Sequence, residues 1–160
     1  MVRSRSEGFT LLEAIMVLVI MSAVVICIPP MLQWLRLQGV QHAREQLQAD
    51  LQLARVLAIR QKQPCTVKFN TPGLNQYVNV TNGRKNDLRA YRGNVHFLRH
   101  GPDGKKMATE VNFNRQGMSV SVAPTDIFLS DGDGLRTYRI RILLPGGISV
   151  QRWDGSAWHY

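Results

Sequence analysis

The chain has 160 residues and carries 20 Lys and Arg against 11 Asp and Glu, a formal net charge of +9. That length leaves room for at most one soluble domain beside an apolar N-terminal run, and the charge favours an acidic partner (nucleic acid, anionic lipid or an acidic protein face) without choosing among them. The two cysteines, Cys27 and Cys65, lie 38 residues apart. If the chain between them is mostly helix they stand roughly 50 Å apart, which excludes an intramolecular disulfide and leaves both as small hydrophobes.

Residues 1–8, MVRSRSEG, form a short head with Arg3 and Arg5. Phe9–Ile28 is an almost wholly apolar run of twenty residues, long enough to match the roughly 30 Å hydrocarbon core of a bilayer. Basic residues beside a span stay on the cytoplasmic side, so the rest of the chain is expected outside the cytoplasm. No A-x-A-like cleavage site closes the run; Pro29 and Pro30 follow it instead, and the segment reads as a retained anchor. Glu13 lies inside it, where a carboxylate costs ~2.5–3.5 kcal/mol on insertion scales.

Gly8-Phe9-Thr10-Leu11-Leu12-Glu13, behind a basic leader and ahead of an apolar span, resembles the type III signal of type IV pilins and type II secretion pseudopilins. The resemblance implies that a prepilin peptidase cuts between Gly8 and Phe9 and methylates the new amino group of Phe9. It implies that Glu13 pairs, in a filament, with the Phe9 amino group of a neighbouring subunit, since a buried carboxylate is tolerable when paired. The implied partners are other pilins or pseudopilins, the prepilin peptidase, an inner-membrane assembly platform and, before assembly, membrane lipid. The implied location is the bacterial inner membrane, as a single pass with the N-terminus cytoplasmic and the C-terminal domain periplasmic, and then a periplasmic or surface filament. Pro30 falls where many pilins carry a proline.

Residues 29–63 read as a continuation of the helix. Val40, Ala43, Leu47, Leu51, Ala54 and Leu57 recur at spacings of three and four and define one apolar face, expected to lie against a sheet. Pro29 and Pro30 predict a local break or kink, and Gly39 weakens the helix again.

Residues 64–160 change to short alternating runs. Cys65–Asn70 ends at Thr71-Pro72-Gly73, and Asn75–Thr81 meets the turn signal Asn82-Gly83. Runs at Val95–Leu98, Glu110–Asn114, Met118–Val122, Ile127–Leu129, Arg136–Leu144 and Ile148–Trp153 are separated by GPDGKK, NRQG, SDGDG, LPGG and WDGS. The predicted class is α+β: a long N-terminal helix, membrane-spanning in its first half, packed on a C-terminal antiparallel domain of two small sheets, β-sandwich-like. In Arg136–Leu144 the alternation puts Tyr138, Ile140, Ile142 and Leu144 on one face. Arg139 and Arg141 fall on the other, expected to be solvated.

The layout from Glu110 to Trp153, VNFNRQG followed by a strand, a DG-rich turn and TYRIRILLPGGISVQRW, resembles the GspH/FimT branch of minor pilins and pseudopilins. Some FimT-like pilins carry a Gly-Arg-x-Arg stretch linked to DNA binding. The corresponding turn here, Gly146-Gly147-Ile148-Ser149, has neither arginine, so that role is not carried over by the motif. Arg139, Arg141, Arg152, Lys105 and Lys106 remain as the candidate nucleic-acid contacts.

Other chemistry is thin. His96 and His100 have i,i+4 spacing in a strand-and-loop region, where it does not converge on a metal. Gly101–Lys106 lacks the spacing and the Ser or Thr of a phosphate loop and reads as a turn with two solvated lysines. Asp131-Gly132-Asp133-Gly134 lacks the glutamate of a calcium loop and reads as a hairpin turn. No nucleophile elbow surrounds any serine. The sequence therefore predicts no enzyme, no cofactor and no metal. Its leading expectation is a minor pilin or pseudopilin, a structural subunit of a type II secretion pseudopilus or type IV pilus. The alternative is a DNA-binding minor pilin acting in DNA uptake.

Overall fold

The first element is the helix α1, Leu11–Gln61, in a computed structural model that describes residues 10–70, 75–121 and 123–160; the side chains of residues 26–33, 35–37 and 70 lie outside that description. Gly8, Phe9 and the turn Thr71-Pro72-Gly73 are likewise outside the described residues. The chain divides into two compact units, residues 1–34 and 35–160. The first is helical from Leu11 onward, and the second holds every strand among the described residues.

Helix α1 runs through Pro29 and Pro30, where the sequence predicts a local break or kink. Each proline removes one N–H from the ladder, and the turns on either side keep the helix. Its end is set locally. Lys62 adopts a φ of 51°, a left-handed residue just past the last turn, and Pro64 cannot extend the helix.

In the second unit, α1 buries Val40, Ala43, Leu47, Leu51 and Ala54, all at 0% exposure, and Ala58 at 1%. The stripe thus ends on Ala58, and Leu57, expected on it, is half-buried at its edge. Each fully buried leucine contributes ~1.5–3 kcal/mol over its exposed state.

Two antiparallel sheets share this core. The first has the order β3-β2-β1-β5, from β1 (Cys65–Asn70), β2 (Gln76–Asn79), β3 (Lys85–Asp87) and β5 (Glu110–Phe113). The second has the order β4-β6-β7-β8-β9, from β4 (His96–Phe97), β6 (Thr125–Ser130), β7 (Thr137–Ile142), β8 (Ile148–Trp153) and β9 (Trp158–His159). Alternation sends Val67, Phe69, Tyr77, Val111 and Phe113 from the first sheet into one buried cluster. Ile127, Leu129, Tyr138, Ile140 and Ile142 from the second join it, together with the helix stripe. Phe97 joins the sheets, its ring edge-on to Phe69 at 5.5 Å and to Tyr77 at 6.3 Å.

The predicted α+β class and the two antiparallel sheets are therefore present. Two further details differ. β3 and β9, with the 3-10 turn Leu88–Ala90, were not expected from the sequence. Of the run Met118–Val122, expected as a strand, Val122 lies outside the described residues, and among the described ones Ser119 makes an isolated bridge with Phe113. Cys65 is a free, buried thiol, while the side chain of Cys27 lies outside the described residues.

Candidate functional site

The N-terminal segment begins with a cap. Thr10 Oγ1 accepts the backbone N–H of Glu13 at 3.3 Å, and the Thr10 carbonyl accepts the N–H of Ala14 at 3.1 Å. This is one half of a capping box, on a T-x-x-E sequence. Glu13 therefore sits in the first turn of α1.

Around and beyond it the helix is apolar on every side. Leu11, Leu12, Ile15, Met16, Leu18, Val19, Ile20, Met21, Val24 and Val25 are between 51% and 81% exposed. A helix hydrophobic all round is stable only where something covers it. Among the described residues no helix is long and apolar enough to cross a membrane.

The residues singled out for nucleic-acid contact occupy a different environment from the expected solvated face. Arg139 and Arg141 do share a sheet face, opposite Phe128 and Asp126 of β6 and Gln151 and Ser149 of β8. That face is covered. Arg139 is only 5% exposed; its guanidinium donates to Gln151 Oε1 from both Nε and Nη2 and to Asp103 Oδ2 from Nη1 at 3.2 Å. It also stacks 4.4 Å from the centre of the Trp158 ring, and Trp158 Nε1 donates to the same Asp103 oxygen at 3.2 Å. Arg141 forms a two-pronged pair with Asp126, Nε to Oδ1 at 2.7 Å and Nη2 to Oδ2 at 2.9 Å.

Burial, and then the neighbouring Arg141 charge, push the Arg139 pKa down, whereas the hydrogen bonds that Arg141 donates to Asp126 raise that of Arg141. The loop at Gly101–Lys106 makes the cover: Gly101 rests on the Phe128 ring so closely that a β-carbon would lie 2.5 Å from it. Asp103 is thus the residue that sequence reading missed in what looked like a plain turn. Of the remaining candidates, Lys105 lies 3.9 Å from Asp103, and Lys106 borders a polar hollow of about 430 Å³ beside Glu110, Asn112 and Thr125. Arg152 is exposed on β8. Arg139 and Lys105 thus meet the same Asp103 oxygen, at 3.2 and 3.9 Å, while Arg141 is held by Asp126.

A second polar network ties α1 to the first sheet. Asp50, buried on the helix, accepts from Tyr77 Oη at 2.6 Å and from Gln46 Nε2 at 3.1 Å, and lies 3.5 Å from Arg84 Nη1. Asn86 Nδ2 donates to Tyr77 Oη at 2.8 Å. Burial first, then the Asp50 hydrogen bond and charge, drive the Tyr77 phenol far above its ordinary value. Among the described residues no group of three or more His, Cys, Asp or Glu side chains is placed to hold a metal.

The profile of the family described as type II transport protein GspH matches residues 43–146. The chain belongs to the GspH family. The matched stretch of this GspH-family chain begins at Ala43 on the buried helix stripe and runs to Gly146 in the turn after β7, so it takes in the Asp50–Tyr77 network, the first sheet and the Asp103, Asp126, Arg139 and Arg141 part of the other network, while Gln151 and Trp158 lie beyond it. Two crystal structures of the type IV minor pilin FimU of Pseudomonas aeruginosa share its fold. One is 19% identical at a TM-score of 0.55, covering 78% of this chain and 96% of that one. The other is 17% identical at a TM-score of 0.51, covering 74% and 95%. A search of curated proteins by sequence returned no match. The GspH match thus reaches back from the Glu110–Trp153 layout onto the helix at Ala43 and ends at residue 146.

Proposed function

We propose that this GspH-family chain is a minor pilin or pseudopilin that enters a filament through its N-terminal helix after a prepilin peptidase has cut between Gly8 and Phe9 and methylated the Phe9 amino group. The observation that carries the reading is the helix at Leu11–Val25, apolar and exposed on all sides, directly behind the GFTLLE motif. A bilayer covers such a helix before assembly, and the helices of neighbouring subunits cover it afterwards. The expected location is a single pass in the bacterial inner membrane with residues 64–160 in the periplasm, then a periplasmic or surface filament.

Glu13 supplies the register. Its cost in lipid, ~2.5–3.5 kcal/mol, is offset when a neighbour's Phe9 ammonium lies beside it. The subunit does no chemistry of its own in this reading; it supplies shape and contacts, and an assembly platform supplies the work. The family profile favours a type II secretion pseudopilus, whereas the likeness to FimU, a type IV minor pilin, is a likeness of fold. Co-purification with secretion pseudopilins or with pilus subunits separates the two. A DNA-binding role in uptake draws support from the net charge of +9; with Arg139 and Arg141 engaged by carboxylates, it would rest on other cations.

The test is the intact mass of the chain extracted from membranes, which should show loss of Met1–Gly8 and gain of one methyl group. Gly8→Val should retain the leader, and Glu13→Ala should insert normally yet be depleted from sheared filaments. A mature chain beginning after Ile28, or an uncut chain in peptidase-positive cells, overturns the proposal.

A further inference from the structure

A second apolar surface lies on the folded unit, away from the N-terminal run. The end of α1 presents Val56 and Ile59, the segment after β5 presents Met118 and Val120, and the β7–β8 turn presents Leu143 and Leu144; their exposures run from 39% to 60%. These three segments are fastened to one another. Gly117 packs on Ile59 so closely that a β-carbon would lie 2.7 Å from its Cδ1. Arg55 donates from Nε to the Gly117 carbonyl at 3.1 Å and from Nη2 to that of Pro145 at 3.5 Å. Ser119 N–H donates to the Leu144 carbonyl at 3.1 Å. The surface is therefore preorganised, and ordering it on binding costs little.

The charged residues of segments 55–64, 114–121 and 143–149 are Arg55, Arg60, Lys62 and Arg115, all cationic; Glu110 lies outside these segments, in the hollow that Val120 also lines. Arg60, Lys62 and Arg115 are exposed, and among the described residues none of them has an acidic partner. An apolar centre with a charged rim is the anatomy of a protein interface. The side chains at its centre are aliphatic, with no aromatic ring on which a nucleobase could stack. A second copy of this chain would bring the same cationic rim, and like charges across an interface cost affinity.

We propose that this face docks a different pilin-type subunit through an acidic, apolar-faced surface on that subunit's globular domain. The proposal rests on the filament-subunit reading above for the kind of partner, and on the charge and aliphatic character of the face for its chemistry.

The test uses the full chain in cells that assemble its filament, with a photo-crosslinking residue placed at Met118 or at Leu144. Leu135, 72% exposed in the turn at the opposite end of β7, is the control position. The expected result is an adduct from Met118 and Leu144, and not from Leu135, to an Asp- and Glu-rich peptide in the globular domain of another pilin-type subunit. Arg60→Glu combined with Arg115→Glu should lower its yield by about tenfold, as expected when a complementary rim becomes repulsive. Both arginines are exposed, and unchanged thermal unfolding of the double variant keeps the loss from being one of fold. Adducts only to lipid, nucleic acid or a second copy, no adduct above the Leu135 control, or a yield indifferent to charge reversal would each overturn the proposal. The intact mass of the same sample separates the two readings. A processed chain without the adduct fails the docking face alone; an unprocessed chain fails the filament reading and, with it, the pilin-type partner.

Discussion

Asp103 and Arg139 meet at 3.2 Å although 36 residues separate them, and Trp158 Nε1 donates to the same carboxylate oxygen at 3.2 Å. One carboxylate thereby fixes the Gly101–Lys106 loop, the middle of β7 and the last hairpin of the chain. Asp103→Ala is expected to lower stability by ~1.5–3 kcal/mol, the range for hydrogen bonds to a charged group. Lys105→Ala removes only the exposed contact at 3.9 Å and should cost ~0–1 kcal/mol. Denaturant unfolding followed by tryptophan fluorescence reads both; equal losses would mean that Asp103 does not hold the loop.

The same geometry decides what the two arginines do toward DNA. Were Arg139 and Arg141 phosphate contacts, changing both to Gln would reduce the slope of log affinity against log salt by about two. Each is already committed, Arg139 to Asp103 and Gln151 and Arg141 to Asp126. The expected outcome is therefore an unchanged slope together with a loss of stability. Fluorescence anisotropy with duplex DNA across a salt series checks it, and a slope reduced by two with an intact fold would restore the DNA reading.

The helix stripe was legible because period and burial agree: Val40, Ala43, Leu47, Leu51 and Ala54 all reach the core. Its last member was misjudged because spacings of three and four both fit a 3.6-residue period, and the small Ala58, not the larger Leu57, faces the sheets. β3, Lys-Asn-Asp, has no apolar alternation to announce it and forms because Asn86 and Lys85 fall opposite Tyr77 and Val78. The arginine face was wrongly expected to be solvated because alternation assigns faces and says nothing of what covers them. Asp103 comes to Arg139 from a loop whose composition reads as a turn. The half capping box at Thr10 and Glu13 was the opposite case, a legible local signal that stood beside a more specific motif.

Tyr77 gives the fold an alkaline limit. Burial and the Asp50 carboxylate raise its pKa, so the folded state favours the neutral phenol. The stability this contributes is fully present below the ordinary tyrosine pKa of about 10 and is lost as pH rises above it toward the higher folded value. A tyrosinate absorbance titration should show one tyrosine ionising only on unfolding. Tyr77→Phe should abolish that step and flatten the alkaline decline, at ~1–3 kcal/mol near neutrality because Asp50 loses its hydroxyl partner.

At the acid end the β8–β9 turn is the sensor. Asp154 accepts the backbone N–H groups of Ala157 at 2.7 Å and Ser156 at 2.8 Å. These, with the Ser156 hydroxyl and His159, hold its carboxyl well below the usual carboxylate range. A depressed pKa means that protection is present above the ordinary aspartate value of about 4 and is lost only as pH falls below it toward the folded value. Amide exchange at Ser156 and Ala157 should stay slow at pH 5 and quicken below the ordinary range. Asp154→Ala should make exchange fast at both.

Gly39 sets helix propensity against packing. In an exposed helix Gly→Ala stabilises by ~1 kcal/mol. Here a β-carbon on Gly39 would lie 1.8 Å from the Arg92 carbonyl oxygen, a backbone atom that cannot rotate away, and overpacking of this kind costs ~1–3 kcal/mol. The clash is the larger effect, so Gly39→Ala should destabilise the chain. Ala49 is exposed on the same helix, and Ala49→Gly should destabilise it too, by ~1 kcal/mol through propensity alone. Opposite substitutions on one helix should therefore lower the unfolding midpoint together. A Gly39→Ala variant that gains stability would mean that α1 and the Arg92 backbone do not approach as closely as this packing requires.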